Sequence, residues 1–105
     1  MCSASCQSTA SNQSSNIIRV HLWISGRVQG VGYRFSTLKV AQQRGLNGWV
    51  KNLPNGQVEA VFEGLLINVK EMIRWCHSGP AAAAPEQVQV EWEQPEGLSG
   101  FEILR

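Results

Sequence analysis

Residues Ile17 to Ser25 alternate without a break, with Ile18, Val20, Leu22 and Ile24 on one face and Arg19, His21, Trp23 and Ser25 on the other. A period of two over that length makes a half-buried strand. The alternation stops at Gly26-Arg27-Val28-Gln29-Gly30-Val31-Gly32-Tyr33-Arg34, after which Phe35, Leu38 and Ala41 recur at a spacing of three as far as Arg44-Gly45. That spacing, closed by a glycine, predicts a helix. A strand that feeds a helix through so short a turn points to a layered fold in which helices pack on a sheet.

The remainder continues the alternation of element types. Leu46 to Asn52 and Gln57 to Glu63 are short apolar-bearing runs joined through Leu53-Pro54-Asn55-Gly56. Asn-Gly supplies the positive φ of a tight hairpin, so these runs are strands two and three. Leu66, Val69, Ile73 and Cys76, flanked by Leu65 and Met72, form the apolar face of a second helix that ends near Ser78-Gly79-Pro80. Past a linker from Pro80 to Pro85, Val88, Val90 and Trp92 alternate with Gln89, Glu91 and Glu93, and Phe101 to Leu104 supply a short closing strand. The predicted order is βαββαβ with a possible fifth strand: an α+β, ferredoxin-like sandwich with two helices on one face of an antiparallel sheet.

This topology has a functional consequence. Strands one and two run parallel, because a helix crosses between them. The turn after Ser25 and the end of strand two at Asn52 therefore emerge at the same edge of the sheet, about 10 Å apart if one strand lies between them.

Composition narrows the classes of function. With 105 residues, 43% of them hydrophobic, the chain suffices for one core and is short for two domains. A single domain is expected over residues 17–105, preceded by a disordered tail over residues 1–16, which hold six serines and almost nothing bulky. The net charge of +1 offers no broad field for nucleic acid or an anionic membrane. No stretch matches a signal or membrane-spanning segment, so a cytoplasmic protein is expected. Cys2, Cys6 and Cys76 form no metal-type spacing, and Cys76 falls on a core face. No metal and no cofactor are expected.

A glycine-rich turn that opens a helix gathers unpaired N–H groups and suits an anion, phosphate first. The same glycines also serve a turn that needs them only for its backbone angles. Arg34 stands in the first helical turn, where side chains lean back over the loop, so its guanidinium can grip phosphate oxygens. Asn52 can be a turn residue, but at the shared edge its amide can also orient a water. The loop lacks the Gly-Lys-Ser/Thr end of a Walker motif, the full Gly-x-Gly-x-x-Gly spacing, an initial cysteine nucleophile and a neighbouring aspartate. His21 and His77 fall outside this edge, and Trp23, Trp49, Trp75 and Trp92 are scattered as packing residues.

The run Gly26 to Arg34, with Gly48-Trp49-Val50-Lys51-Asn52-Leu53-Pro54-Asn55-Gly56 and the terminal Gly100-Phe101-Glu102-Ile103, closely resembles the acylphosphatase family from about Ile17 to Arg105. The resemblance implies hydrolysis of small acyl phosphates to a carboxylate and inorganic phosphate, without a metal or a covalent intermediate. It implies Arg34 as the phosphate-binding arginine and Asn52 as the residue that positions water. It also implies a phosphate cradle built from Arg27, Val28, Gln29, Gly30 and Val31, with no catalytic role for the Arg27 side chain. The expected partners are a small acyl phosphate and its phosphate product, with no nucleic acid or membrane, for a protein acting as a monomer. A non-catalytic anion-binding module is the alternative, and retention of both Arg34 and Asn52 argues against it. An RNA-binding sheet lacks its aromatic and basic strand pattern, and the larger hydrogenase maturation proteins that begin with a similar domain carry zinc-type cysteine pairs absent here.

Overall fold

The computed structural model describes residues 16–105; Cys2, Cys6 and all but the last residue of the expected tail lie outside the described residues. The elements are β1 (Ile17–Arg27), α1 (Tyr33–Gln43), β2 (Asn47–Asn52), β3 (Val58–Leu65), α2 (Leu66–Ser78), β4 (Ala84–Glu93) and β5 (Phe101–Ile103). Their order in the sheet is β4-β1-β3-β2-β5. β1 pairs antiparallel with β3 and β4, and β2 pairs antiparallel with β3. Strands β1 and β2 thus run in the same direction with β3 between them, as the topology required. The fold is ferredoxin-like α+β.

The fifth strand is present and makes the sheet mixed. β5 lies parallel to β2, with Phe101 opposite Gly48 and Ile103 opposite Val50. The chain leaves β4 at one edge, passes round the end remote from the Gly26–Arg34 turn, and rises along β2. Ile103 is thereby carried toward the end of the sheet where Asn52 stands.

One sheet face meets the helices. Val20, Leu22 and Ile24 of β1, Val50 of β2, and Val58, Ala60 and Phe62 of β3 are buried against Tyr33 and Ala41 of α1 and Val69, Met72 and Cys76 of α2. The buried stripe of α1 is Tyr33, Thr37 and Ala41, spaced by four, and the expected core residue Phe35 is 61% exposed. A stripe at i, i+4 and i+8 leaves position i+2 nearly opposite, so Phe35 faces outward. Leu66 is also more exposed than its helical spacing suggested. β3 passes into α2 without a loop, and the first helical residue stands at the margin of the sheet.

The opposite sheet face is closed by charge. His21 lies between the Glu59 and Glu93 carboxylates, at 2.6 and 2.8 Å, and stacks on Trp23 with ring centroids 4.0 Å apart. Arg19 donates to Glu93 at 2.8 Å and to Glu63 at 2.9 Å. Glu63, 1% exposed, also accepts the N–H groups of Glu96, Gly97 and Leu98 at 2.8 to 3.1 Å. It pins the loop that delivers β5.

Glu63 and Glu93 are held below the usual carboxylate range. For Glu63, burial pulls upward and is outweighed by the Glu96 N–H, the Arg19 guanidinium and the Leu98 N–H. For Glu93, the bond from Arg19 leads, followed by that with His21. A carboxyl depressed in the folded state adds stability that is complete above its unfolded value, about 4.3, and is lost as pH falls through the folded value. Thermal melts followed by circular dichroism are therefore expected to hold their midpoint down to about pH 5 and to lose it below about pH 4. Glu63→Gln should melt lower at neutral pH and decline less steeply in acid; an acid decline as steep as that of the parent would contradict this role.

Candidate active site

The site begins where the β1 ladder ends. A register shift between Ser25 and Gly26 bulges β1 against β4, and a Cβ at Gly26 would stand 2.6 Å from the Ala84 carbonyl oxygen. Only glycine lets the chain leave the sheet there. It turns back through Gly32, which holds φ 80 and ψ 17 in the left-handed region at the α1 N-terminus. The N–H of Val28 donates to the Gly26 carbonyl at 3.0 Å, and the next N–H along the chain to find a backbone acceptor outside the helix is that of Ser36, on Gly32 at 3.0 Å. Among the described residues, the stretch between them is a run of uncommitted amides at a helix N-terminus whose first turn carries no acidic residue. This is the electrostatic setting that favours an anion.

A cavity of about 310 Å³ opens over this turn, lined by Val28, Gly30, Gly32, Tyr33, Arg34, Phe35, Asn52 and Ile103. It unites Arg34 of α1 with Asn52 at the end of β2, the two side chains that sequence reasoning placed at one edge. Val28 and Gly30 line it, whereas Arg27, Gln29 and Val31 do not. Arg27 still belongs to β1, opposite Ala84, with its side chain exposed. His21 sits on the charged face of the sheet, and His77 is exposed at the end of α2.

Arg34 has no carboxylate within ion-pair distance among the described residues, whereas Arg19 and Arg44 are both paired. The Asn52 Oδ1 is buried and accepts no hydrogen bond. The carboxamides of Gln29, Asn47, Asn55 and Gln57, by contrast, are all engaged within the fold. A buried amide oxygen without a partner costs about 1 to 3 kcal/mol, which points to a role other than stability.

Two wall residues escaped the sequence reading. Phe35, counted as core, stands at the cavity mouth with Lys39 Nζ 5.7 Å from its ring centroid. Ile103 arrives on the parallel fifth strand. The position of Phe35 directly after Arg34 was the one signal, masked by an apolar spacing that matched a core stripe. Cys76 is buried, its thiol pushed up to about 12 by burial, and it lies among core residues away from the cavity. Among the described residues no group of three or more His, Cys, Asp or Glu side chains is arranged to hold a metal ion, and no helix is long and apolar enough to cross a membrane.

Fold and cavity together define a ferredoxin-like domain with a cavity at the end of its sheet that brings Arg34 and Asn52 together. Residues 20–103 match the family model described as Acylphosphatase. The chain is 60% identical over 95 residues to an acylphosphatase of Trichormus variabilis, covering 90% of this chain and 94% of that protein. It resembles the structure of an acylphosphatase from Coxiella burnetii with a TM-score of 0.83 at 37% identity, over 88% of this chain and 97% of the other. For acylphosphatase from Bacillus subtilis the TM-score is 0.82 at 30% identity, over 84% and 99%. The chain belongs to the acylphosphatase family and is a hydrolase. Membership implies an acyl phosphate as substrate and phosphate as product.

Proposed function

We propose that this enzyme hydrolyses the carboxyl–phosphate bond of small acyl phosphates by direct attack of a water that Asn52 aligns on a phosphoryl group held by Arg34 and the Gly26–Arg34 turn. The observation that carries the reading is that Asn52, whose buried Oδ1 has no hydrogen-bond partner, lines the same cavity as the unpaired Arg34. The water oxygen forms a new P–O bond, the bond from phosphorus to the acyl oxygen breaks, and the carboxylate leaves with the bonding pair. Because the conjugate acid of that leaving group has a pKa of about 4, it departs at neutral pH unprotonated. A loose phosphoryl transition state asks of the attacking water mainly alignment, and the water's proton passes to a phosphate oxygen of the substrate. Among the described residues no Asp, Glu, His or Cys lines the cavity, which is consistent with a reaction run without a protein acid or base.

The acyl group rests against Phe35 and Ile103, the apolar walls beside Arg34. Phe35→Ala is expected to lower kcat/KM for benzoyl phosphate by about 3- to 10-fold, the size of one aromatic contact, and to leave acetyl phosphate nearly unaffected. Equal losses on both substrates would remove Phe35 from the acyl subsite.

Turnover in ¹⁸O-labelled water tests the reaction path. The label is expected in inorganic phosphate and absent from the carboxylate, at a rate that EDTA does not change. Label in the carboxylate would mean attack at the acyl carbon, and no turnover at all would reduce the domain to an anion-binding module.

A further inference from the structure

We infer that Gln29 is a positioning residue: its carboxamide clamps the phosphate turn to the hairpin that carries Asn52 and so sets the spacing between the two halves of the site. The inference rests on the division of labour proposed above for Arg34 and Asn52. Gln29 Nε2 donates to the Leu53 carbonyl at 2.8 Å and to the Gln57 carbonyl at 2.9 Å. Two carbonyl acceptors on one nitrogen require an amide NH₂, and both its hydrogens are then used. The grip is returned from the hairpin, where Gln57 Nε2 donates to Ser25 Oγ at 2.9 Å, one residue before the bulge.

These bonds lie where the sheet offers nothing else. The β1–β3 ladder ends at Ile24 opposite Val58, and the β2–β3 ladder ends at Asn52 opposite the same Val58. Beyond Val58 the turn and the hairpin are two separate protrusions, and among the described residues no backbone hydrogen bond joins residues 26–32 to residues 53–57. Leu53, which Gln29 holds, follows Asn52 directly. The Gln29 side chain is absent from the cavity wall, so it acts on the hairpin and not on the ligand. Loosening this tie leaves the amide cradle and Arg34 in place and lets Asn52 drift from the line of attack, where a displacement of about 1 Å costs about 10²-fold in rate.

The test is Gln29→Met, which keeps length and removes both donors, alone and combined with Asn52→Ala, assayed with benzoyl phosphate and with inorganic phosphate as competitive inhibitor. Gln29→Met alone should lower kcat by about 10- to 100-fold while the phosphate inhibition constant stays within about two-fold of the parent. In the Asn52→Ala background it should cost little further, because the residue through which it acts is gone. A full multiplicative loss in that background, a fall in phosphate binding in step with kcat, or an unchanged kcat would each overturn the clamp while leaving the roles of Arg34 and Asn52 standing. A parent-like kcat in Asn52→Ala itself would overturn those roles and the clamp together. If Gln29→Met does not fold, Gln29→Asn, which retains the amide on a stem one methylene shorter, carries the same measurements and the same outcomes.

Discussion

Arg34→Ala is expected to lower kcat/KM for benzoyl phosphate by about 10²- to 10³-fold or more and to abolish competitive inhibition by inorganic phosphate. Arg34 is the guanidinium of the cavity, without an ion-pair partner among the described residues, at the N-terminus of α1 where no acidic residue dilutes the field. A bidentate pair with a phosphoryl group gives two charge-assisted bonds of about 1.5 to 3 kcal/mol each, and these strengthen as charge moves onto the transferring oxygens. Melting temperature should change little, since the side chain is only partly buried and is not part of the core. Arg34→Lys should recover part of the binding and little of the rate, because a point charge cannot supply the fork. Parent-like hydrolysis by Arg34→Ala would remove the residue from the mechanism.

Asn52→Ala is expected to produce a different signature of comparable size. A residue that aligns the attacking water contributes to the transition state and little to the bound ground state. The loss should therefore fall on kcat, by about 10²-fold or more, with KM nearly preserved. The variant should be at least as stable as the parent, because it removes a buried oxygen that has no hydrogen-bond partner. A destabilised variant with parent-like kcat would return Asn52 to the role of a turn residue.

The parts of the site that rest on local pattern are legible in the amino-acid sequence. The alternation of β1, the helical spacing of α2 and the Asn55-Gly56 hairpin declare themselves within a few residues, and the parallel relation of β1 and β2 follows from chain connectivity. Together these bring Asn52 to the edge that carries Arg34. Features that depend on partners distant in sequence are not legible there. The buried Glu63 is matched to Arg19 and to three amides more than thirty residues onward, and no spacing rule reports such a pairing. β5 is only three residues long, and the loop leading to it is held by that remote anchor. Phe35 misleads because its spacing to Leu38 and Ala41 fits a core stripe, while the true stripe is led by Tyr33, whose hydroxyl donates to the Cys76 carbonyl at 2.7 Å and ties α1 to α2. The Gln29 side chain is hidden by its own backbone: a residue in a glycine-rich turn at a helix N-terminus reads as ligand-facing, and only the hairpin carbonyls show where its amide goes.

Calorimetric titration of inorganic phosphate into the Asn52→Ala enzyme tests the division of labour most directly. If Arg34 and the turn hold the phosphoryl group while Asn52 aligns water, the variant binds phosphate within about two-fold of the parent although its turnover has collapsed. Loss of phosphate binding together with turnover would contradict that division and make Asn52 part of the cradle.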